Sequence, residues 1–563
     1  MIVLGIYDWH NCGASLVADG RIVSAIEEER LTRNRVEFGF PALSVNKIFE
    51  MTGISWGDLD AIGVCGERDP FFLARINPRV FRFERKICQK WRLQYILWRM
   101  IFSIREGNVF EKAERFLSKK VVGRQIEKMS SGASRKVVLI SHHLCHASCG
   151  YRTSGFERAL IFTIDGSGDG YSTAVFSGEN GNIKFISGAS ERASLGKLYS
   201  NVTLGLGFDK LTGEGKVMGL AALGDPRPFY PVIDKVIWVD SYEPMFLKCG
   251  EDLIGNTFAL KVRRFLRDYS REDIAAATQA KFENILLGIV DYYVKKTGIT
   301  SVVLVGGAAM NVSFNQKVRE LDCVSKSYVF PSMTDAGVAS GAALELHWRL
   351  SGNSGVYELK DVFLGPGESE DQFKECIKKN CLSAEYREDI EQHIAYLVSQ
   401  GFIVARVDGR MEYGPRALGN RSILALPNKE GLGDILNQRL KRDEFMPFAP
   451  SILEEYASQY LEGYRYSPFM TETFNLKKEF AGIFSAVTHK DNTVRPHIVR
   501  KQVCPGYWNI IKEIGDITGY YLVLNTSFNM HGEPIICSAQ DAVNTFLKGS
   551  VDYLCLGKFL IKY

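Results

Sequence analysis

A short apolar run, a polar loop and a hairpin occur twice in this chain, and that recurrence limits the fold more than any other feature. The first copy is Ile2 to Tyr7, the loop Asp8-Trp9-His10-Asn11-Cys12, and a hairpin over residues 13–26 that turns on Asp19-Gly20. Asp-Gly between apolar runs is a strong short-range hairpin signal. The second copy is Leu160 to Asp165, the loop 166–170, and the run Tyr171 to Phe176. Two such copies predict a duplicated α/β domain with its ligand in the cleft between the halves. Ligands in such folds gather beyond the C-terminal ends of the strands.

The residues with chemistry cluster around the second copy. Val137 to Ile140 is a β-branched apolar run and reads as a buried strand, followed by a helix start at His142-His143-Leu144-Cys145-His146. His142 and His146 are four apart, so both imidazoles lie on one helical face. Asp165 ends the next strand. Two imidazoles and a carboxylate make a mixed N/O site suited to iron or zinc, with positions left open for substrate. A histidine pair on a surface helix is the plainer reading, and the Asp-Gly-Ser-Gly-Asp-Gly turn that follows it favours the site. Asp335, in Thr334-Asp335-Ala336-Gly337, opens a helix of small residues. On its own it reads as a capping aspartate. Beside the other three it is the natural fourth ligand.

Two glycine-rich stretches suit a nucleotide. Residues 204–222 hold Gly213-Glu214-Gly215-Lys216 ahead of a helix, and Lys216 supplies a point charge beside small residues. Val302 to Val305 is a buried strand that ends in Gly306-Gly307, with Asn311 at the next helix start. Bare backbone there suits a ribose or adenosine. Residues 351–370 are rich in turn formers and read as a domain boundary, giving domains 1–355 and 356–563. In the second domain, Asp408 to Ser422 places Arg410, Arg416 and Arg421 among glycines and a proline, and Arg442 and Arg495 follow. Guanidinium forks match phosphate and carboxylate, so this region is expected to bind oxyanions. A late polar loop carries Asn525 and Ser527.

Composition excludes several classes. A net charge of +4 over 563 residues carries no nucleic-acid signature for the chain as a whole. The twelve cysteines form no C-x-x-C pair, which argues against a disulfide framework or zinc finger and for a reducing, cytoplasmic setting. The chain starts directly on a strand, and no apolar run approaches the roughly 18 residues of a membrane span. One segment stands apart: residues 71–136 hold seventeen Lys and Arg against five Asp and Glu, a net +12. Its apolar stretch Trp91 to Ile104 reads as a helical insertion packed on the domain. An interfacial helix, making peripheral membrane contact or a platform for an anionic substrate, is the alternative.

The strand, loop and hairpin pattern resembles the opening of actin-like ATPases and sugar kinases (the ASKHA fold). The motifs HHLCHA, FTIDGSGDG, GEGKVMGLAA, GGAAMN, TDAG, GRMEYGPRALGNRSI, MPFAPSIL and LNTSFNMHGEPI together resemble the NodU/CmcH family of O-carbamoyltransferases, nearly end to end. The resemblance implies an N-terminal domain of the threonylcarbamoyl-transfer type and a C-terminal YrdC-like α/β domain. It implies Fe²⁺, or another divalent ion, on His142, His146, Asp165 and Asp335, with His10 as the base for an acceptor hydroxyl. It puts Lys216, Gly306, Gly307 and Asn311 at a nucleotide. Arg416, Arg442, Arg495, Asn525 and Ser527 would hold carbamoyl phosphate and ATP with Mg²⁺, and Arg416 and Arg495 would serve the chemistry there. Met446 departs from the family, whose members carry arginine at that place; Lys441 or Arg442 would substitute.

The function implied is ATP-dependent: carbamoyl phosphate becomes carbamoyl adenylate, and its carbamoyl group goes to a hydroxyl of a small natural product or sugar. No nucleic acid is expected as partner, and the oligomeric state is left open, a homodimer included. The alternatives are a threonylcarbamoyl-type tRNA modification enzyme and an actin-like ATPase without carbamoyl chemistry. The zinc-finger cysteine pairs of hydrogenase-maturation carbamoyl enzymes are absent from the sequence.

Overall fold

The computed structural model describes residues 1–70, 72–78, 111–130, 132, 136–253, 257–352, 355–442 and 448–563. They form two units. The first comprises Met1–Glu28 and Val36–Leu359, and the second Glu29–Arg35 and Lys360–Tyr563. The division therefore falls just beyond the sequence boundary at 355, and a short N-terminal segment belongs to the second unit. Nothing in the composition of residues 29–35 signals this.

The first unit holds two five-stranded sheets. One contains β1 (Ile2–Tyr7), β2 (Gly13–Ala18), β3 (Arg21–Glu27), β4 (Ala61–Cys65) and β5 (Lys136–Ile140), in the order β3-β2-β1-β4-β5. The other contains β6 (Arg158–Gly168), β7 (Tyr171–Glu179), β8 (Asn182–Ser190), β11 (Ser301–Val305) and β12 (Lys326–Val329), in the order β8-β7-β6-β11-β12. Between them in sequence, β9 (Ile237–Val239) and β10 (Leu247–Cys249) form a separate hairpin. Each large sheet has one central strand with two antiparallel neighbours in series on one side and two parallel strands on the other. Order and direction match strand for strand, so the duplication expected from the sequence is present.

The parallel strands β1, β4, β6 and β11 are buried along nearly their whole length, as strands covered on both faces must be. Helix Val338–Ser351 packs against β1 and β4 and against helix His142–Thr153. Glycines permit the approach: a Cβ on Gly341 would stand 1.9 Å from the Cys145 carbonyl oxygen. A buried ion pair between Arg152 and Glu345, at 2.9 Å, ties the same two helices. Asp335 lies just ahead of the one helix and His146 within the other, so this packing decides whether they can meet.

The second unit is built on one mixed sheet in the order β13-β22-β21-β14-β15-β20-β16-β19. Its strands are β13 (Glu385–Tyr386), β14 (Val404–Val407), β15 (Arg421–Ala425), β16 (Ala449–Leu453), β19 (His497–Val499), β20 (Leu522–Ser527), β21 (Tyr553–Leu556) and β22 (Phe559–Lys562). A small ribbon of β17 (Phe474–Asn475) and β18 (Thr493–Val494) stands apart. Helices Ile390–Ser399 and Pro505–Thr518 pack together over one sheet face, burying Ile394, Val398, Tyr507, Ile511 and Ile514. Residues 29–35 are fixed to this unit by Arg30, which donates to the Gly414 carbonyl at 2.9 Å, and by Arg33, which donates to Pro534 and Ile535 at 2.7 Å each.

Of the basic insertion, helices Phe72–Ile76 and Glu111–Met129 are described, while Trp91 to Ile104 and Met446 lie outside the described residues. Among the described residues no helix is long and apolar enough to cross a membrane.

Candidate functional site

Loops at the C-terminal ends of β1, β5, β6 and β12 bring one cluster together. His142 opens helix His142–Thr153 directly after β5, and His146 follows one turn later on the same face. Asp165 sits where the register between β6 and β7 shifts, which turns its side chain inward; β6 itself runs on to Gly168. Asp335 heads a short 3₁₀ turn capped by Thr334. The His142 Nε2 atom lies 3.1 Å from Asp165 Oδ2 and 3.4 Å from Asp335 Oδ1. The His146 Nε2 atom lies 3.7 Å and 3.3 Å from the same two oxygens. One donor atom from each residue falls within 4.8 Å of all the others, close enough for one cation to touch all four.

The surroundings fix these groups. Asp335 Oδ2 accepts from the Tyr7 hydroxyl at 2.9 Å and faces His10 Nε2 at 3.3 Å. Asp335 thus stands against both Tyr7 and His10. The His142 main-chain N–H donates to Asp169 Oδ2 at 2.7 Å, and this carboxylate also accepts from the N–H groups of Glu67, Arg68 and Asp69 at 3.1, 2.8 and 2.9 Å. Asp169 thus clamps the helix start to the loop after β4. The middle histidine of the motif points elsewhere and anchors the helix to the neighbouring strands: His143 bonds Thr163 Oγ1 at 2.7 Å and the Tyr171 carbonyl at 3.1 Å.

The electrostatics suit a cation. Burial pushes the Asp335 carboxyl up, and the imidazoles of His142 and His10 more than reverse this, leaving it well below the usual carboxylate range. Burial disfavours the His142 imidazolium, yet Asp335 and Asp165 hold its pKa well above the ordinary value. His10 is lowered, chiefly by burial. His143 drops to about 3, through burial and then its two imidazole neighbours. Two anionic carboxylates that draw positive charge onto an adjacent imidazole are the donor set a divalent ion takes over from a proton. His146 Nδ1 is buried without a hydrogen-bond partner, so that imidazole is engaged through Nε2 alone.

Of the residues expected at a nucleotide, Gly306 and Gly307 abut this cluster. Gly306 has φ +97, and a Cβ on it would fall 2.2 Å from the Ile164 carbonyl oxygen; one on Gly307 would stand 2.9 Å from Asp165 Oδ1. The Asn311 side chain is occupied. It caps helix Val312–Arg319 through Phe314 N at 3.1 Å and exchanges two hydrogen bonds with Gln279. The Lys216 ammonium stacks over Phe208, 5.6 Å from the ring centre. The lysines that feel the acidic cluster and His10 are Lys197 and Lys210, both half-buried. Burial and the neighbouring Lys197 lower Lys210 to about 8. Sequence reasoning singles out neither; Lys210 lies inside the same glycine-rich stretch as Lys216, and only desolvation sets it apart.

The second unit holds a cluster of opposite character. Arg416 and Arg495 are depressed: Arg416 falls to about 10 through burial and the neighbouring Arg442, and Arg495 falls well below its ordinary value through burial, Arg416 and Arg442. Among the described residues Arg416 and Arg495 have no carboxylate partner, and their Nε atoms are buried without an acceptor. Arg442 donates to Thr526 Oγ1 at 2.8 Å and lies over Phe448, 4.6 Å from the ring centre.

The other two arginines of the glycine-rich loop, which composition alone groups with Arg416, are structural. Arg421 is fully buried and donates to the carbonyls of Asp408, Gly409, Asn420, Pro366 and Cys537. Arg410 donates to those of Leu364 and Gly365. Glu412 shapes the loop by accepting from the N–H groups of Leu418, Asn420 and Arg421. Asn525, on β20, reaches the Ala417 carbonyl at 3.1 Å, beside Arg416, and Ser527 follows on the same strand face.

Comparison with known proteins agrees with this division. Residues 2–344 match the family described as Carbamoyltransferase N-terminus, and residues 395–563 match Carbamoyltransferase C-terminus. A Methanocaldococcus jannaschii protein of undescribed activity is 33% identical over 100% of this chain and 99% of its own length. Nodulation protein NolNO of Sinorhizobium fredii is 32% identical, covering 98% of this chain and 79% of that one. Nodulation protein NolO of Bradyrhizobium diazoefficiens is 35% identical over 75% and 79% of the two chains. Among solved structures, nucleotide- and phosphate-bound HypF superposes with a TM-score of 0.36 at 11% identity, over 63% of this chain and 56% of that one. A ROK family glucokinase from Streptomyces griseus gives 0.28 at 11%, over 61% and 99%. Superpositions this loose add nothing to the topology described above.

Proposed function

The chain belongs to the carbamoyltransferase family of the NodU/CmcH type and is a carbamoyltransferase; from that premise we propose that it works in two steps, one in each unit. In the second unit, read as YrdC-like, carbamoyl phosphate and water give carbamate and phosphate. The carbamate oxygen then attacks the α-phosphorus of ATP, which is bound with Mg²⁺, and expels pyrophosphate to leave carbamoyl adenylate. In the first unit an acceptor hydroxyl oxygen attacks the carbamoyl carbon, AMP departs, and the hydroxyl proton goes to His10.

The observation that supports this reading is the pair Arg416 and Arg495, buried beside Arg442, with Nε atoms that lack an acceptor and no carboxylate partner among the described residues. Buried guanidiniums this close are costly to hold together unless an anion joins them. Carbamoyl phosphate and the ATP phosphates supply that charge, and the same guanidiniums would stabilise the leaving pyrophosphate. Asn525 and Ser527 are read as completing the polar lining of that site.

In the first unit His142, His146, Asp165 and Asp335 would hold Fe²⁺ or another divalent ion, whose chemistry when bound is Lewis acidity toward phosphate or carbamoyl oxygens. The protein's own part is binding and proton movement. His10 stays neutral because it is buried and is oriented by Asp335, so it is ready to accept a proton near neutral pH. Gly306 and Gly307 admit the adenylate alongside Asp165, and Lys197 and Lys210 supply positive charge for its phosphate. Asn311 shapes the backbone there through its cap.

The acceptor is read as a hydroxyl of a sugar or small natural product, in a reducing cytoplasmic setting. All eleven described cysteines are free thiols, in keeping with that compartment. The deciding experiment measures AMP, pyrophosphate and phosphate release with ATP and carbamoyl phosphate, with and without candidate acceptors. AMP formation that requires carbamoyl phosphate, and a carbamoyl mass gain on an acceptor that depends on both units, are expected. ATP turnover indifferent to carbamoyl phosphate would refute the reading.

A further inference from the structure

The Asn525 carboxamide is held in one orientation. Its Nδ2 donates to the Ala417 carbonyl at 3.1 Å and to Ser451 Oγ at 3.0 Å. A carbonyl only accepts, so the contact with Ala417 identifies the amide nitrogen, and the end-for-end ambiguity of asparagine does not arise. Both amide hydrogens are therefore spoken for. The Ser451 hydroxyl, which accepts from Asn525, is also hydrogen-bonded to His497 Nδ1, 3.1 Å away. Ser451 and His497 are register partners on β16 and β19, and the imidazole stacks on Tyr507 with centroids 5.8 Å apart and planes inclined 17°. Burial drives the His497 pKa to about 3, so the ring is neutral. Side chains of all three residues are buried.

What this chain of bonds leaves over is Asn525 Oδ1. It is buried and has no hydrogen-bond partner. A buried amide oxygen without a donor is costly, and native structures rarely tolerate one without a ligand or water nearby. Its position limits the ligand. Ala417, whose carbonyl takes one amide hydrogen of Asn525, adjoins Arg416 in the chain. A ligand with an anionic end for the guanidiniums and an N–H for Oδ1 answers both needs. The carbamoyl group differs from an acetyl group of the same shape by having NH₂ in place of CH₃.

We propose that Ser451 and His497 are positioning residues that lock the Asn525 carboxamide with its oxygen toward the bound acyl group, so that the second unit selects an acyl phosphate bearing an N–H over its methyl isostere. This rests on the two-step reading above and adds to it the element that chooses the substrate. A water molecule would satisfy Oδ1 as well, but would give no preference between carbamoyl and acetyl. A site that hydrogen-bonds a substrate N–H rejects the analogue lacking it, because its own polar atom is then left unpaired.

The test is ATP–pyrophosphate exchange by the full-length protein, supplied with either carbamoyl phosphate or acetyl phosphate. Wild type is expected to favour carbamoyl phosphate by about a hundredfold in kcat/KM. Ser451→Ala is expected to raise KM for carbamoyl phosphate about tenfold, with kcat and KM for ATP little changed, and to cut the preference by a similar factor. Ser451→Thr, which restores a hydroxyl, should recover both. His497→Phe keeps the stack on Tyr507, removes the hydrogen-bond partner of Ser451, and answers the same question should Ser451→Ala not fold. Exchange in wild type with neither acyl phosphate would sink the two-step reading, and the inference with it. Equal exchange with both, or an unchanged preference in Ser451→Ala and His497→Phe, would sink the inference alone.

Discussion

The two clusters are near opposites. In the first unit four charged or chargeable side chains of mixed sign converge, and each carboxylate already faces an imidazole. In the second, three cations converge and repel, and the described residues provide Arg416 and Arg495 with no carboxylate. The first can persist empty because protons stand in for a cation. The second collects positive charge that an anion would offset. In the proposed reading the contrast is between a cation that stays and an anionic substrate that comes and goes.

The largest effect should come from breaking the first cluster. Asp335→Ala is expected to bring metal content measured by mass spectrometry, and transfer to any acceptor, below detection, while carbamoyl phosphate-dependent ATP–pyrophosphate exchange continues. Loss of both activities together would mean that the clusters are not separable. Next, Arg416→Ala should lower AMP formation by roughly a hundredfold to a thousandfold. Because the substitution removes a repelling cation, ligand-free thermal stability should hold or rise slightly, and phosphate should no longer raise the melting temperature. A large fall in ligand-free stability would show that Arg416 is a structural group like Arg421.

Asp169→Asn sharpens the comparison further. Each oxygen of this carboxylate accepts two main-chain N–H groups, and an amide can serve only half of them. Metal affinity is expected to fall about ten- to hundredfold, as when groups behind a ligand are lost, with ATP–pyrophosphate exchange untouched. Titration with a coloured divalent ion reads this directly.

The smallest effect is on stability at low pH. His497 has its pKa lowered from 6.5 to about 3, so the unfolded chain binds the proton more readily than the folded one. Its contribution is complete above pH 6.5 and is lost as the pH falls toward 3, amounting to about 2 kcal/mol by pH 5. His497→Phe should flatten that part of the denaturation profile. His143 adds a loss of the same sign in the first unit.

The metal cluster and the duplication were legible because they rest on local rules. Four-residue spacing places His142 beside His146 in any helix, and the hairpin signals repeat in plain view. The arginines were only partly legible. Arg410, Arg416 and Arg421 share one loop and one composition, and what separates them is whether backbone carbonyls surround the guanidinium, a property of the folded loop around Glu412. Lys210 was hidden for the same reason, because desolvation leaves no mark on sequence. Asn311 read as a ligand contact and is a helix cap, since asparagine before a helix suits either role.

The stretch Glu29–Arg35 sets a timetable. The carbonyls that receive Arg33 belong to residues 534 and 535, made 501 and 502 residues after it. The C-terminal half therefore cannot be completed from its own stretch of chain. A gene fragment cut at the apparent boundary would encode a body lacking the clasp that Arg30 and Arg33 supply. Supplying residues 29–35 as a separate peptide, or grafting them onto the fragment, is what would make that half whole.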